Sequence, residues 1–203
     1  MKRVSVLASG RGSNFQAIID SVESGRLHVT IGSLITDNPQ AYAIERARRA
    51  GIPVQLVDFA SFRERGAYED GLLQAMENAS ADLFVLAGYM RILGGNVVRR
   101  YCGRLINIHP ALLPSFPGLH AQAQALWHGV KVSGCTVHFV DEGMDTGPII
   151  LQRCVPVLDD DDEESLSARI LAQEHIALPE AIGLFCEGLL QIEGRRVRVL
   201  ARE

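Results

Sequence analysis

The chain has 203 residues and a formal net charge of −4, and 47% of its residues are hydrophobic while 22% are charged. This length and composition are typical of a folded globular domain with a substantial core. The negative charge argues against a binder of duplex nucleic acid, which needs a basic face, and no apolar run approaches the about 20 residues of a membrane span. The run after Met1 is also too short for the core of a signal peptide. We therefore expect no nucleic-acid or membrane partner and a cytoplasmic location.

Short apolar runs alternate with segments of helical periodicity along the first half of the chain. Residues 83–87 are an uninterrupted apolar run, as a strand that is covered on both faces requires. Further strands are predicted over residues 4–8, 29–36, 54–57 and 105–109, and helices over residues 15–22, 41–50, 61–78 and 97–101. This alternation predicts an α/β fold, in which a mostly parallel, twisted sheet carries helices on both faces.

The second half of the chain departs from this alternation. Residues 132–140 and 149–157 are predicted strands joined by a polar turn with glycines, and such a pair indicates an antiparallel addition at one edge of the sheet. A long helix is predicted from near Ser165, and Pro179 should kink or divide it. No linker separates the two halves, so we predict a single domain over residues 1–203.

Four cysteines, Cys102, Cys135, Cys154 and Cys186, lie far apart in the sequence and form no CxxC pair. Their spacing favours neither a disulfide framework nor a zinc site. We expect four buried, reduced thiols and no bound metal.

A glycine-rich loop, residues 10–14 (GRGSN), lies between the first predicted strand and the first predicted helix. A helix start offers unpaired backbone N–H groups and the positive end of its dipole, and glycines let an anion approach closely. The loop therefore suggests a phosphate site. A dinucleotide fold with Asp37 as the ribose-binding acid is the rival interpretation, although Phe15 stands where its third glycine would be. A strand-to-helix turn without a ligand also stays open on this pattern alone.

Asn107 and His109 lie two residues apart at the end of a predicted strand, so their side chains project to the same side. Ligands of open α/β sheets bind at this carboxyl end of the strands. An amide beside an imidazole suits a carbonyl that becomes an oxyanion. Asp145 would favour the imidazolium form of His109 if its turn folds over that residue. The alternatives are structural roles for Asn107 and His109 and a solvent-exposed position for Asp145.

An apolar segment with one arginine, residues 87–93, follows the buried strand. Such a wall suits a flat heterocycle whose polar edge is met by backbone groups. Arg65, on the preceding predicted helix, could meet a carboxylate tail or be an ordinary surface arginine. His120 and His138 could lie near such a site or serve structural roles.

Six motifs follow one another along nearly the whole sequence. They are residues 9–14 (SGRGSN), 86–93 (LAGYMRIL), 107–114 (NIHPALLP), 116–120 (FPGLH), 138–148 (HFVDEGMDTGP) and 173–175 (QEH). Together they resemble the phosphoribosylglycinamide formyltransferase family of folate-dependent enzymes. The resemblance implies a Rossmann-like formyltransferase fold, with a phosphate-binding half over residues 1–100 and a folate-binding and catalytic half over residues 101–203.

The resemblance also implies a reaction and its reactants. A formyl group would pass from 10-formyltetrahydrofolate, as co-substrate, to the amine of phosphoribosylglycinamide, a step of purine biosynthesis that needs no metal. The catalytic residues would be Asn107, His109 and Asp145. The residues that bind the phosphorylated substrate would be Gly12, Ser13, Asn14 and Glu174. The residues that bind folate would be Arg65, Met90, Arg91, Ile92, Leu93, Asn107, Asp141, Glu142, Gly143 and Met144.

Other folate enzymes share the Asn-His-Asp set. A methionyl-tRNA formyltransferase would need a further C-terminal domain and a formyltetrahydrofolate deformylase a further N-terminal domain, for which we expect no room in this chain. The alternative of a different class is a binding module without activity on the same fold, which would be expected to lack one of the three residues. The expected partners are therefore small molecules, and we expect the chain to be a monomer or a homodimer.

Overall fold

The structure is a computed structural model that describes residues 1–201. The chain forms two compact units, the first over residues 1–106 and the second from Asn107 onward. The single domain expected over residues 1–203 stays a prediction.

The first unit is built on parallel strands. Strands β1 to β4 and the first residues of β5 lie in the order β3-β2-β1-β4-β5, and the pairs β1–β2, β1–β4 and β2–β3 are parallel. The strands are β1 (Lys2–Leu7), β2 (Val29–Thr36), β3 (Val54–Leu56), β4 (Leu83–Leu86) and β5 (Leu105–His109). The helices are α1 (Ser13–Glu23), α2 (Ala43–Arg49), α3 (Arg65–Ala79) and α4 (Gly95–Arg100).

Burial explains why these strands form. Every residue of β4 and the last four residues of β1 are buried, because both faces of a parallel sheet are covered. Parallel strands also end at the same edge of the sheet, so residues that follow different strands meet there. The backbone N–H of Ser9, after β1, donates to the carbonyl of Gly88, after β4, at 3.1 Å. This edge of the first unit collects the polar residues that the sequence places after its strands.

The start of α3 differs from its predicted position. The helix was expected from residue 61 and begins at Arg65, because residues 59–61 form a separate 3₁₀ turn. The Asp58 carboxylate caps that turn by accepting from the backbone N–H of Ala60 at 3.1 Å. A capping aspartate satisfies a donor at the start of a helical turn, and here it gives the short turn its own beginning.

The second unit carries an antiparallel addition. Its strands lie in the order β6-β7-β9-β8, in which β6 and β7 are antiparallel and their register shifts between Val137 and His138. Strands β8 and β9 form an antiparallel hairpin that the sequence analysis does not predict. The elements are α5 (Ala121–Trp127), β6 (Val132–Phe139), β7 (Ile149–Pro156), α6 (Glu163–Cys186), β8 (Leu190–Glu193) and β9 (Arg196–Val199).

Helix α6 runs without interruption from Glu163 to Cys186, with Pro179 inside it. Of the two predicted effects of Pro179, a division of the helix is wrong, and a kink stays a prediction. Proline removes one backbone hydrogen bond, but Pro179 lies on the buried side of the helix together with Leu178 and Ile182. Tertiary packing of an apolar face contributes more to helix stability than local propensity does, so the packing retains the helix.

Only part of the expectation for the cysteines holds. All four are thiols rather than disulfides within the described residues, but Cys135 alone is buried. Cys102 and Cys154 are exposed and Cys186 is intermediate, so the prediction of four buried thiols is wrong. The four cysteines lie on different elements, and only Cys135 lies on a part of β6 where every residue is buried.

Helix α6 offers a matched test of its buried face. Ile170 is fully buried, whereas Ile176 on the same helix is 50% exposed. Ile170→Ala should lower the free energy of unfolding by about 2–5 kcal/mol, because it removes buried methyl groups and leaves a cavity. Urea denaturation measures the change, and Ile176→Ala is the control. Equal losses in the two variants would contradict this account of the core.

Candidate active site

The polar cluster of the second unit forms around Asp145. Asn107 and His109 come from the end of β5, His138 comes from β6, and Asp145 lies in the turn between β6 and β7. The Asp145 carboxylate places Oδ2 3.3 Å from His109 Nδ1 and Oδ1 3.6 Å from His138 Nε2. The side chains of His109 and His138 are 5% and 3% exposed, so both contacts are shielded from water. The structure thus brings together Asn107, His109 and Asp145, as the sequence analysis expects of this set.

The hydrogen-bond partners of His109 determine its charge. Nε2 donates to the carbonyl of Phe116 at 2.8 Å, while Nδ1 faces the Asp145 carboxylate. A carbonyl and an ionised carboxylate only accept hydrogen bonds. With a proton on each ring nitrogen both contacts are hydrogen bonds, so this arrangement stabilises the imidazolium form of His109.

The surroundings of Asp145 favour its ionised form. Burial alone would raise the pKa of this carboxyl group, but the contact with His138, the backbone hydrogen bond from Gly118 and the charge of His109 outweigh burial. Together they hold the pKa of Asp145 below its usual value. The carboxylate is consequently charged at neutral pH and available to stabilise the imidazolium of His109.

Asn107 and His138 complete the cluster. The Asn107 amide nitrogen, Nδ2, lies 3.2 Å from His138 Nε2 and donates to Asp145 Oδ1 at 3.4 Å. His138 Nδ1 donates to the carbonyl of Phe139 at 2.8 Å, which leaves Nε2 facing the Asn107 amide and the Asp145 carboxylate. The β6 register shift at His138 gives this side chain its direction, as such irregularities do near functional residues.

Residues 116–118 hold the cluster from the other side. The Gly118 N–H donates to Asp145 Oδ2 at 2.8 Å, and Phe116 supplies the carbonyl that accepts from His109. Gly118 has φ +81°, and a Cβ at this position would lie 3.1 Å from the Met144 sulfur. Only glycine adopts this backbone conformation without strain. Residues 116–118 belong to one of the six motifs, but their role is not predictable from the sequence, because a backbone donor and acceptor leave no side-chain signature.

The predicted phosphate loop is a left-handed turn into α1. Gly12 has φ +67°, and a Cβ there would lie 2.8 Å from the Ala43 Cβ. The Gly10 carbonyl accepts from the Ala43 N–H, and the Arg11 carbonyl accepts from the Arg46 side chain. No side chain caps the first turn of α1. Two loop carbonyls are therefore occupied by α2, while the start of α1 keeps the positive end of its dipole.

Residues expected to bind folate lie in both units. In the first unit, Met90 and Ile92 are 65% and 63% exposed, Leu93 is 9% exposed, and the Arg91 side chain pairs with Asp37. Arg65 forms an ion pair with Glu69 at 2.7 Å and donates to the Ile92 carbonyl at 3.3 Å.

In the second unit, the turn between β6 and β7 is exposed at residues 142–144. The Asp141 side chain shapes this turn by accepting from the Gly143 N–H and the Thr146 hydroxyl. Glu174, expected on the substrate, is a buried residue of α6 with 7% exposure. Asp141 therefore supports the turn through its side chain, and residues 142–144 of this turn are exposed.

Two further findings concern the part of the chain that the structure describes. Within residues 1–201, no group of three or more histidine, cysteine, aspartate or glutamate side chains is arranged to hold a metal ion. Among the same residues, none of the helices combines the length and the apolar character that crossing a membrane takes.

A family model described as formyl transferase matches residues 2–182. The phosphoribosylglycinamide formyltransferase of Escherichia coli is 43% identical over 187 residues, which cover 92% of this chain and 88% of that protein. The chain belongs to the formyl transferase family. The predicted resemblance is thereby confirmed, as is the predicted enzyme class, a transferase.

Two further relatives are a solved structure and a longer protein that contains a matching segment. The crystal structure of glycinamide ribonucleotide transformylase 1 from Symbiobacterium toebii superimposes with a TM-score of 0.96 at 53% identity, covering 99% of this chain and 95% of that one. The predicted fold class is confirmed by this match. The trifunctional purine biosynthetic protein adenosine-3 of Drosophila melanogaster is 49% identical over 189 residues, and the matched segment spans 92% of this chain but 14% of that protein.

The ionised state of Asp145 makes a prediction about acid stability. The pKa of Asp145 is lowered on folding. Its contribution to the free energy of unfolding is therefore present above the pKa of an aspartate in the unfolded chain, about 3.9, and is lost as the pH falls through the folded value. Asp145→Asn should lower the free energy of unfolding at pH 7 by about 1–2 kcal/mol, the order of a hydrogen bond to a charged group. Urea titrations at neutral and acidic pH measure the difference in the free energy of unfolding between wild type and Asp145→Asn. This difference should disappear at acidic pH.

The surface residue Asp70 provides the matched control for this test. Asp70→Asn should leave the free energy of unfolding close to that of wild type at both pH values, because the residue is exposed. A gap between wild type and Asp145→Asn that is the same at both pH values would contradict a lowered pKa for Asp145.

Proposed function

We propose that this chain transfers the formyl group of 10-formyltetrahydrofolate to the amine of phosphoribosylglycinamide, with tetrahydrofolate as the second product. The observation that carries the proposal is the imidazolium of His109, held between the Asp145 carboxylate and the Phe116 carbonyl, with Asn107 beside it. The names of the relatives in Escherichia coli and Symbiobacterium toebii support this reaction. Positive charge and an amide next to each other stabilise an oxygen that becomes negative.

The chemistry starts with attack of the amine on the formyl carbon. A new N–C bond forms, and the formyl oxygen becomes an oxyanion that Asn107 and His109 stabilise. The bond from carbon to N10 of the folate then breaks, and water carries the proton from the attacking amine to that nitrogen. Asp145 keeps His109 charged throughout. Holding the two reactants in line supplies a large part of the acceleration.

The resting hydrogen bonds of the cluster show what this mechanism requires. His109 Nε2 donates to the Phe116 carbonyl, and the Asn107 amide is directed at His138 and Asp145. Both donors must exchange these internal partners for the oxyanion. For His109 the exchange costs little, because the neutral Phe116 carbonyl is replaced by a substrate oxygen of higher charge.

The remaining site residues have proposed roles in binding. Gly12, Ser13 and Asn14 would bind the ribose phosphate at the start of α1, and Glu174 would bind the ribose or glycinamide part. The backbone groups of residues 90–93 and 141–144 would meet the pterin. Arg65 would bind the folate glutamate, and the exposed guanidinium would leave the Ile92 carbonyl to do so.

The proposed co-substrate needs no metal for this chemistry, since the imidazolium and the amide supply the electrostatic stabilisation. Small molecules are the proposed partners. A cytoplasmic location and a monomeric or homodimeric state stay predictions.

The acceptor is tested by following the absorbance of 10-formyltetrahydrofolate with purified protein. Formyl loss should depend on phosphoribosylglycinamide, because the attacking nitrogen belongs to that substrate. The control is the same mixture without the ribonucleotide. Equal loss in both mixtures would identify a deformylase instead, and no loss in either would favour a binding module without activity.

Variants of the cluster test its role in catalysis. His109→Ala and Asp145→Asn should each reduce kcat by about a hundredfold or more, the loss typical of one oxyanion donor, while remaining folded by circular dichroism. Matched substitutions at exposed positions, His28→Ala and Asp70→Asn, should leave kcat within about twofold of wild type. Turnover within a few-fold of wild type in either cluster variant would overturn the assignment.

A further inference from the structure

The segment of residues 88–93, which follows β4, is held by side chains from several parts of the first unit. The Ser9 hydroxyl accepts from the Met90 N–H at 2.9 Å, and the Ser9 N–H donates to the Gly88 carbonyl at 3.1 Å. The Tyr89 hydroxyl hydrogen-bonds to the Tyr68 hydroxyl of α3. Burial and the contact with Tyr68 raise the pKa of Tyr89, so both phenols are neutral. These contacts fix the backbone at the start of the segment.

Arg91 provides the anchor in the middle of the segment. Its Nε donates to Asp37 Oδ2 at 2.8 Å, and its guanidinium lies 3.9 Å from the centre of the Phe59 ring. The Phe59 N–H in turn donates to the Asp37 carbonyl at 3.1 Å. Asp37 therefore holds Arg91 directly and also fixes the ring on which the guanidinium stacks. A charge-assisted hydrogen bond combined with a stacked arginine restricts the side chain more than either contact alone.

The Asp37 carboxylate depends on this one cation. Its side chain is 2% exposed, and its Oδ1 has no hydrogen-bond partner among residues 1–201. A buried charge without its partner is strongly destabilising, so the arrangement stabilises Asp37 only while Arg91 stays in place. The same contact removes the dinucleotide interpretation of Asp37, because the carboxylate that would bind a ribose is already paired with Arg91.

The anchor leaves the neighbouring residues of the segment open. Met90 and Ile92, on either side of Arg91, are 65% and 63% exposed. A segment whose middle side chain is fixed presents the backbone groups of its neighbours in one orientation. Recognition of a flat heterocycle by backbone groups needs such a fixed orientation, since a displacement on the order of 1 Å weakens it strongly.

We propose that Asp37 is a positioning residue for folate, which acts by holding Arg91 so that residues 90–93 present their backbone to the pterin. The inference rests on the proposed function and assigns a role to a residue outside the proposed binding set. In this arrangement Arg91 contributes through its anchored side chain, and its guanidinium does not contact the ligand.

Asp37→Asn tests the role, since asparagine keeps the shape but removes the charge. The KM for 10-formyltetrahydrofolate should rise about tenfold, the loss of roughly one charge-assisted hydrogen bond, while kcat and the KM for phosphoribosylglycinamide change little. Calorimetric binding of tetrahydrofolate, which requires no turnover, should weaken by the same factor. Arg91→Met should give a similar rise, and the double variant should be no worse than either single variant.

Asp82→Asn is the matched control. Asp82 also pairs with a cation, Lys2, and accepts from a backbone N–H, that of Arg3, but it lies before β4, whereas residues 88–93 follow that strand. This variant should change stability without changing the KM for folate.

Three results would overturn the inference. An unchanged folate KM and an unchanged tetrahydrofolate affinity in Asp37→Asn would mean that the ion pair between Asp37 and Arg91 is only a structural contact. A rise in Arg91→Met without one in Asp37→Asn would mean that Arg91 contacts the ligand itself. A wild-type protein that neither turns over nor binds tetrahydrofolate would overturn the proposed function, and this inference with it.

Discussion

The contact between the Asp145 carboxylate and the His109 ring is the interaction on which the rest of the candidate site depends. A carboxylate with a side chain that is only 13% exposed must be compensated by cations and donors. Here the imidazolium, the Gly118 N–H and the Asn107 amide provide that compensation. Asp145 itself has φ +53° and Gly118 has φ +81°. Two loops thus adopt uncommon backbone conformations around one buried charge.

The first unit shows the same principle with a different result. Asp37 is also a buried carboxylate at the edge where parallel strands end, and it also faces a single strong cation, Arg91. In the second unit the cation is a group that can stabilise a developing charge. In the first unit the cation is a stacked side chain that fixes a backbone segment. In the proposed roles, one buried aspartate supports chemistry and the other supports positioning, and the difference lies in what the paired cation can do.

Much of the fold follows from local patterns in the sequence. Strand β2 (Val29–Thr36) and strand β5 (Leu105–His109) lie at the predicted residues, because short segments rich in β-branched and apolar residues between turn residues are typical of strands. Helix α6 is the informative exception. Pro179 predicts a break by local rules, while the buried face of the helix retains its continuity. The hairpin of β8 and β9 is missed although both strands alternate apolar and polar residues, because strands of four mostly exposed residues give a weak signal.

The sequence by itself determined the fold class and the family, because periodicity, residue type and motif order are local properties of the chain, and it proposed Asn107, His109 and Asp145 as a catalytic set. Only the tertiary structure decided that His138 joins this set, that Phe116 and Gly118 hold it through backbone groups, and that Asp37 pairs with Arg91. Apart from Phe116, which lies 7 residues from His109, these residues have partners that are distant in sequence. Their contacts arise from strand order, from a register shift in β6 and from positive φ angles in loops. A linear pattern carries none of these, since each depends on which segments fold against each other.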